Sequence, residues 1–397
     1  MKRRWKILIY LLVALAALAL LNTFVTNSET EPAEVTVEGA EILAVPGGDL
    51  QVLDVPASEP PAMDGRRAPR GGSGERGGNV PTPTTAPIVL IHGYTGSINW
   101  WQDVIGDLSR RHRVIAIDLL GHGGSAKPGS GYTIANQADL IAQILNQLDV
   151  EGAVLVGHSL GGTVVTAVAE RSSELVDRLI LIGMAPDVEE FGNLDLTSRI
   201  SRLPVIGQAT KRLAPDALLR DGLEQGFAPG FPVPDYAVTD LKRMTFTAYR
   251  EWPGANEGYT AEQPLNERIE ASFIPLQVIF GAEDQIFDAR ASLNAYAAVP
   301  AAQTELLEGV GHSPMVEAPE ETVALIEAFA APAPGPPAEP PAGRPAGPSA
   351  EESRPTPRSR ERGGQARADR QPQAQQRGAR ERGAQTQAGE RRRAPQR

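Results

Sequence analysis

No stretch of the chain limits its fold as sharply as Gly157-His158-Ser159-Leu160-Gly161. It follows Gly152-Ala153-Val154-Leu155-Val156, a short apolar, β-branched run that reads as a buried strand. It precedes Gly162-Thr163-Val164-Val165-Thr166-Ala167-Val168-Ala169, which reads as a closely packed helix. A strand that reverses into a helix within one residue needs flanks with almost no side chain, a role glycine fills at little cost. The serine is then held in a strained conformation, with its Oγ exposed above a helix N-terminus. Strand, Gly-x-Ser-x-Gly and helix together are the context of a nucleophile elbow. A glycine-rich turn with a helix-capping serine would use the same residues. The rest of the chain has to decide between the two.

Composition narrows the chemistry. The 397 residues include no cysteine, which excludes disulfides, thiolate metal sites and a cysteine nucleophile. The net charge of −11 is unevenly spread: residues 80–330 carry −16, whereas residues 331–397 carry +7. An acidic body argues against non-specific nucleic-acid binding, and only the tail is attractive to polyanions. The basic tail is therefore expected to solubilise the chain or to rest on anionic envelope components.

Lys2, Arg3, Arg4 and Lys6 precede an apolar run that begins at Ile7 and continues to Val25. As a helix these residues reach about 29 Å, one hydrocarbon thickness. Cations before the run and none soon after it place the N-terminus in the cytoplasm and the remainder outside. Residues 1–25 are thus expected to be a signal anchor crossing the membrane; a cleaved signal peptide is the rival, and either way the chain is exported. Residues 26–34 read as a polar linker. Val35 to Gly39, Glu41 to Val45 and Leu50 to Val55 look like strands, with a turn at Pro46 to Asp49. Residues 56–87, rich in Pro, Gly, Arg and Ser, cannot build a core and read as a disordered insertion. Residues 331–397 read as a disordered tail for the same reason.

Between these segments short, fully apolar strands alternate with amphipathic helices. Ile88–Ile91, Val114–Ile117, the elbow strand, Leu179–Ile182, Leu276–Phe280 and Thr304–Leu307 are the strands. Trp100–Arg110, Thr133–Leu148, the elbow helix and Pro319–Ala330 are helices. The pattern predicts an α/β fold with a mostly parallel sheet covered by helices on both faces. The alternation breaks at residues 186–265, which are rich in proline and short helical patterns and read as a helical cap over the strand C-termini.

A serine needs a base, and the base needs a carboxylate that fixes its tautomer. His112 sits among arginines and reads as a surface residue. His158 points away from the neighbouring Oγ, and His92 reads as a brace for its loop. His122 lies in a loop after a strand. His312 follows the last strand and is the histidine that comes after the serine in the chain order Ser, Asp, His, so it is the candidate base. Asp284, after the strand ending at Phe280, is the candidate carboxylate, with Glu283, Asp288 and Asp187 as alternatives. Backbone N–H groups of Leu160 and Tyr94 are the candidate oxyanion donors. Trp252, Phe227, Phe231, Phe246 and Tyr249 read as acyl-pocket lining or as ordinary packing.

Five segments in this order, His92-Gly93-Tyr94-Thr95-Gly96-Ser97, Asp118-Leu119-Leu120-Gly121-His122-Gly123-Gly124-Ser125, the elbow, Gly281-Ala282-Glu283-Asp284 and Gly311-His312-Ser313-Pro314, resemble the α/β-hydrolase superfamily over residues 35–330. The resemblance implies an α/β-hydrolase fold with an eight-stranded, mostly parallel sheet, a helical cap at 186–265 and a Ser159–His312–Asp284 triad. It implies a small-molecule acyl substrate, a serine-esterase reaction, and neither cofactor nor metal. Serine at the nucleophile position disfavours likeness to haloalkane dehalogenases and epoxide hydrolases. Carbon–carbon bond hydrolases and cofactor-free haloperoxidases resemble this chain around Gly96, Ser97 and Trp100. An inactive membrane-tethered binding protein on the same fold is the alternative outside enzymology.

Overall fold

Each central strand is apolar along its whole length because successive side chains enter two different cores. In the computed structural model Ile88 and Leu90 pack on one side of the sheet, and Val89 and Ile91 on the other. Val114 and Ala116 alternate in the same way with Ile115 and Ile117, as do Val154 and Val156 with Ala153 and Leu155. The structure describes residues 2–27, 29–58, 85–192, 203 and 206–331. The expected insertion therefore lies outside the described residues from 59 to 84, as does the tail from 332 to 397. Residues 193–202, 204 and 205 of the expected cap are outside them too. The chain divides into two units, Met1–Pro334 and Gly335–Arg397, and the second lies wholly outside the described residues.

In chain order the described elements begin with α1 (Lys2–Asn27), β1 (Glu41–Val45), β2 (Gly48–Val55) and β3 (Ile88–Ile91). They continue with α2 (Gln102–Leu108), β4 (Val114–Ile117), α3 (Ile134–Gln147), β5 (Ala153–His158), α4 (Leu160–Arg171) and β6 (Val176–Ile182). The helices α5 (Val188–Phe191), α6 (Ile206–Leu213), α7 (Asp216–Leu223), α8 (Asp235–Arg243) and α9 (Phe246–Glu262) follow. The chain then returns to the sheet through α10 (Leu265–Ser272), β7 (Leu276–Gly281), α11 (Ala289–Tyr296) and β8 (Gln303–Leu307), closing with α12 (Pro314–Glu317) and α13 (Pro319–Ala330).

The eight strands form one sheet in the order β1-β2-β4-β3-β5-β6-β7-β8. β1 and β2 pair antiparallel, β2 joins β4 antiparallel, and β3 to β8 are mutually parallel. Residues from α3, α4, α10 and α11 fill one face, and residues from α2 and α13 fill the other. Because β3 to β8 are parallel, the loops after β3, β4, β5, β7 and β8 emerge at one end of the sheet, and that shared end builds the site.

Two expectations are corrected. Val35 to Gly39 do not form a strand. The N–H groups of Thr36 and Val37 donate instead to the side-chain oxygen of buried Gln51, so they never enter a ladder. The helix expected at Trp100 begins as a 3₁₀ turn over Ile98–Trp101 and ends at Leu108. Helix α1 matches the expected apolar segment: Arg3–Val25 is long and apolar enough to cross a membrane.

Candidate active site

The elbow has the predicted shape. Ser159 stands between β5 and α4 at φ 49°, ψ −126°, a conformation that costs an L-residue about 1–3 kcal/mol. A Cβ at Gly157 would lie 2.6 Å from Cα of Gly162, and one at Gly161 would lie 2.5 Å from the carbonyl oxygen of His92. Larger flanking residues would force the strand, helix and neighbouring loop apart. The N–H of Ser159 donates to the carbonyl of Ile182 at 2.8 Å, which ties the elbow to the end of β6.

His312 and Asp284 meet at the same end of the sheet. The Nδ1–H of His312 donates to Asp284 Oδ2 at 2.8 Å, and both side chains are buried. The other carboxylate oxygen of Asp284 accepts the N–H groups of Ile286 (2.8 Å) and Phe287 (3.0 Å), so the group is fixed at both oxygens. Of the alternatives, Asp187 caps α5 and Asp288 caps α11. The imidazole of His312 packs on Gly183, where a Cβ would come within 3.3 Å of ring atoms. Gly183 directly follows the residue that holds the Ser159 N–H.

The loop after β3 forms a turn in which the Gly96 N–H donates to the Gly93 carbonyl at 3.1 Å, with Thr95 at φ 61°. A Cβ at Gly93 would lie 2.9 Å from Cβ of Ser159, so this turn, which carries Tyr94, abuts the elbow. Leu160 opens α4, and a first helical residue has no intrahelical acceptor for its N–H. The phenolic hydroxyl of Tyr94 donates to the carbonyl of Tyr249 in the cap at 2.6 Å.

The remaining histidines are buried braces. His92 Nδ1–H donates to the Gly93 carbonyl at 2.7 Å and its Nε2 accepts the Leu119 N–H at 3.0 Å. Burial lowers its pKa, so the ring is neutral and Asp118 at 3.9 Å is a neighbour rather than an ion partner. Asp118 itself accepts the N–H groups of Ile98 and Gly124 at 2.7 and 2.8 Å. His122 is fully buried, and desolvation lowers its pKa well below the usual value. His112 corrects the expectation of a surface residue: its ring turns inward and Nδ1–H donates to the Ala86 carbonyl at 2.8 Å. His158 Nε2–H donates to the His312 carbonyl at 3.0 Å, and the ring stacks on Trp100.

Two carboxylates outside the candidate residues named from the sequence also shape the site. Glu317 accepts the N–H groups of Gly311 (2.9 Å), Ser313 (3.0 Å) and Ala228 (2.8 Å), clasping the His312 loop to the cap. An acidic residue in the first turn after Pro314 was the available signal, one position later than a capping box. Asp240 in α8 is buried and accepts the Ser97 hydroxyl at 2.7 Å. Burial raises its pKa to about 7, with nearby Asp118 pushing the same way. The cap aromatics are chiefly packing: Phe227 lies between Trp100 and Phe231, and Trp252 Nε1–H donates to the Leu120 carbonyl. Among the described residues no three His, Cys, Asp or Glu side chains gather as a metal site.

A family model for the alpha/beta hydrolase fold matches residues 86–319, and the chain belongs to that family. An uncharacterized protein of Mycobacterium tuberculosis is 33% identical over 258 residues, 61% of this chain and 74% of that protein. The 2-hydroxy-6-oxo-6-(2'-aminophenyl)hexa-2,4-dienoic acid hydrolase of Metapseudomonas resinovorans is 28% identical over 246 residues, 59% of this chain and 80% of the relative. Among solved structures, an esterase from Exiguobacterium antarcticum shares the fold with a TM-score of 0.57 at 18% identity, covering 74% of this chain and 99% of that one.

Proposed function

We propose that the protein is a membrane-anchored serine hydrolase that cleaves a carboxylic ester or related acyl substrate through an acyl-enzyme. The observation that carries the reading is the buried His312–Asp284 bond of 2.8 Å, with His312 packed on Gly183 next to the Ile182 carbonyl that holds the N–H of the strained Ser159. With Nδ1–H committed to Asp284, Nε2 is the nitrogen left to take a proton. Ser159 Oγ attacks the acyl carbon and its proton passes to His312. The N–H groups of Leu160 and Tyr94 receive the oxyanion. His312 then protonates the departing alcohol. Water, deprotonated by the same imidazole, attacks the acyl-serine and releases the acid. Helix α1 holds the domain on the membrane, on its extracytoplasmic side.

The test is labelling of the full chain in detergent with a fluorophosphonate probe, together with turnover of p-nitrophenyl esters. Labelling that disappears in Ser159→Ala, with ester turnover lost in parallel, is expected. A folded protein that neither labels nor turns over esters refutes the reading. The Metapseudomonas relative favours a second reading, a carbon–carbon bond hydrolase using the same residues. Labelling without turnover of any ester in a graded series would select it.

A further inference from the structure

We propose that the catalytic end of the domain rests against the bilayer, and that the substrate is a long-chain amphiphilic ester taken from the leaflet. This rests on the hydrolase and anchor readings above and goes beyond them in orientation and substrate class.

The first observation is the shortness of the tether. Helix α1 ends at Asn27, and Glu31 is already locked to the domain. Its N–H donates to the Lys127 carbonyl at 3.0 Å, and the Lys127 N–H donates back at 2.8 Å. The buried Lys127 ammonium pairs with the Glu31 carboxylate at 3.3 Å, and the Glu34 N–H reaches the Gly124 carbonyl at 2.8 Å. Four Cα steps separate Asn27 from Glu31, which span at most about 14 Å even when extended. The loop that holds Glu31 leaves the C-terminal end of β4, the same end of the sheet as Ser159, Asp284 and His312. The membrane exit is thus fixed within one short reach of the catalytic end.

The second observation is independent of the tether. The Asn22 side-chain N–H donates to Gln208 Oε1 in cap helix α6 at 3.4 Å. Asn22 lies eight residues from the middle of Arg3–Val25, about 12 Å from a bilayer midplane. That depth is just inside the hydrocarbon boundary, about 15 Å out, so the contact places α6 at the edge of the hydrocarbon. The same part of the cap leaves Leu213 at 80% and Leu218 at 55% exposure. The acidic body gains nothing from anionic headgroups, so apolar contact and the tether must hold this face down. A substrate concentrated in the leaflet meets such a face directly, and each added CH₂ favours the leaflet roughly fourfold.

The absence of native cysteine gives a clean test of orientation. Leu213→Cys and Phe273→Cys would each carry an NBD label in the full chain, reconstituted into phosphatidylcholine vesicles with doxyl-lipid quenchers. Phe273 is 92% exposed just before β7, at the opposite end of the sheet. Strong quenching at position 213 and none at 273 is expected. Equal quenching, or the reverse order, overturns the proposal, and so does a chain that a carbonate wash strips from the vesicles, which also removes the anchor reading. For substrate class, about 40 Gly/Ser residues inserted between Thr30 and Glu31 should leave p-nitrophenyl acetate turnover unchanged. Turnover of p-nitrophenyl palmitate held in the vesicle should fall at least fivefold. Undiminished palmitate turnover refutes leaflet capture. No turnover of either ester by the unmodified chain refutes the ester-hydrolase reading and the substrate class with it, while the probe pair still decides the orientation.

Discussion

His158 Nε2 donates a hydrogen bond to the main-chain carbonyl of His312 at 3.0 Å, so the residue before the candidate nucleophile holds the backbone of the candidate base. Burial first, and the nearby His312 second, keep the His158 pKa well below the usual histidine range, so the ring is neutral. Its proton must then sit on Nε2, and no group among the described residues hydrogen-bonds Nδ1. Trp100 stacks on the ring at 5.8 Å between centroids and fixes its plane.

Replacing this brace should loosen the base without touching substrate. A hydrogen bond contributes about 1 kcal/mol, so His158→Ala should lower kcat roughly five- to tenfold with little change in KM. Steady-state kinetics on a soluble ester would check the split. A rise in KM at unchanged kcat would show that the ring serves binding instead.

Asp284 should matter far more. Its Oδ2 fixes the Nδ1–H tautomer of His312 at 2.8 Å, and Asp284→Asn would present either an amide N–H or a weaker acceptor at that point. A loss of about 10³–10⁴ in kcat is expected. The thermal midpoint should change little by comparison, because an amide oxygen can still accept the Ile286 and Phe287 N–H groups.

The sheet and the elbow were legible because their constraints are local. Val89 and Leu90 must both be apolar because they enter opposite cores, and Gly157 and Gly161 must be small because backbone lies against them. Val35 to Gly39 misled because period-2 alternation says nothing of whether a partner strand exists; the Gln51 side chain takes those donors. His112 misled because Arg110, Arg111 and Arg113 report a wet neighbourhood, whereas its own ring turns inward to Ala86. The cap contact of Glu317 and the burial of Asp240 are not legible for another reason. Their partners, Ala228 and Ser97, are 89 and 143 residues away, and no local pattern encodes such a pairing.

Glu317 joins the His312 loop to the cap through three N–H groups. Hydrogen bonds to a charged acceptor contribute about 1.5–3 kcal/mol each when buried, and this carboxylate is half-buried. Glu317→Gln keeps the shape but loses the charge, and should cost about 2 kcal/mol of stability. Activity should fall with it, because Gly311 and Ser313 flank His312. Chemical denaturation alongside kcat would test the link; a destabilised variant with full kcat would separate the two roles.

The strain at Ser159 predicts a trade of stability against activity. At φ 49°, ψ −126° a glycine fits without a Cβ conflict. Ser159→Gly should abolish ester turnover yet raise stability by about 1 kcal/mol, the strain relieved less the added freedom of the unfolded chain. Ser159→Ala keeps the Cβ and should not gain. Comparing the thermal midpoints of the two inactive variants isolates the backbone contribution from loss of the hydroxyl.

Asp240 gives the cap a dependence on pH. It faces Ser97, Asn99 and Asp118 across the interface and Arg243 on its own helix, and burial raises its pKa from 3.8 to about 7. An unfolded chain ionises this carboxyl near pH 4, whereas the folded chain holds its proton until about pH 7. The folded state therefore binds the extra proton across that window, and stability must fall as pH rises through it. The full loss by linkage is up to about 4 kcal/mol, complete above pH 7. Asp240→Asn cannot ionise, so denaturation midpoints measured from pH 4 to pH 8 should lose this descending component. A wild-type slope that persists in Asp240→Asn would assign the pH dependence to other groups.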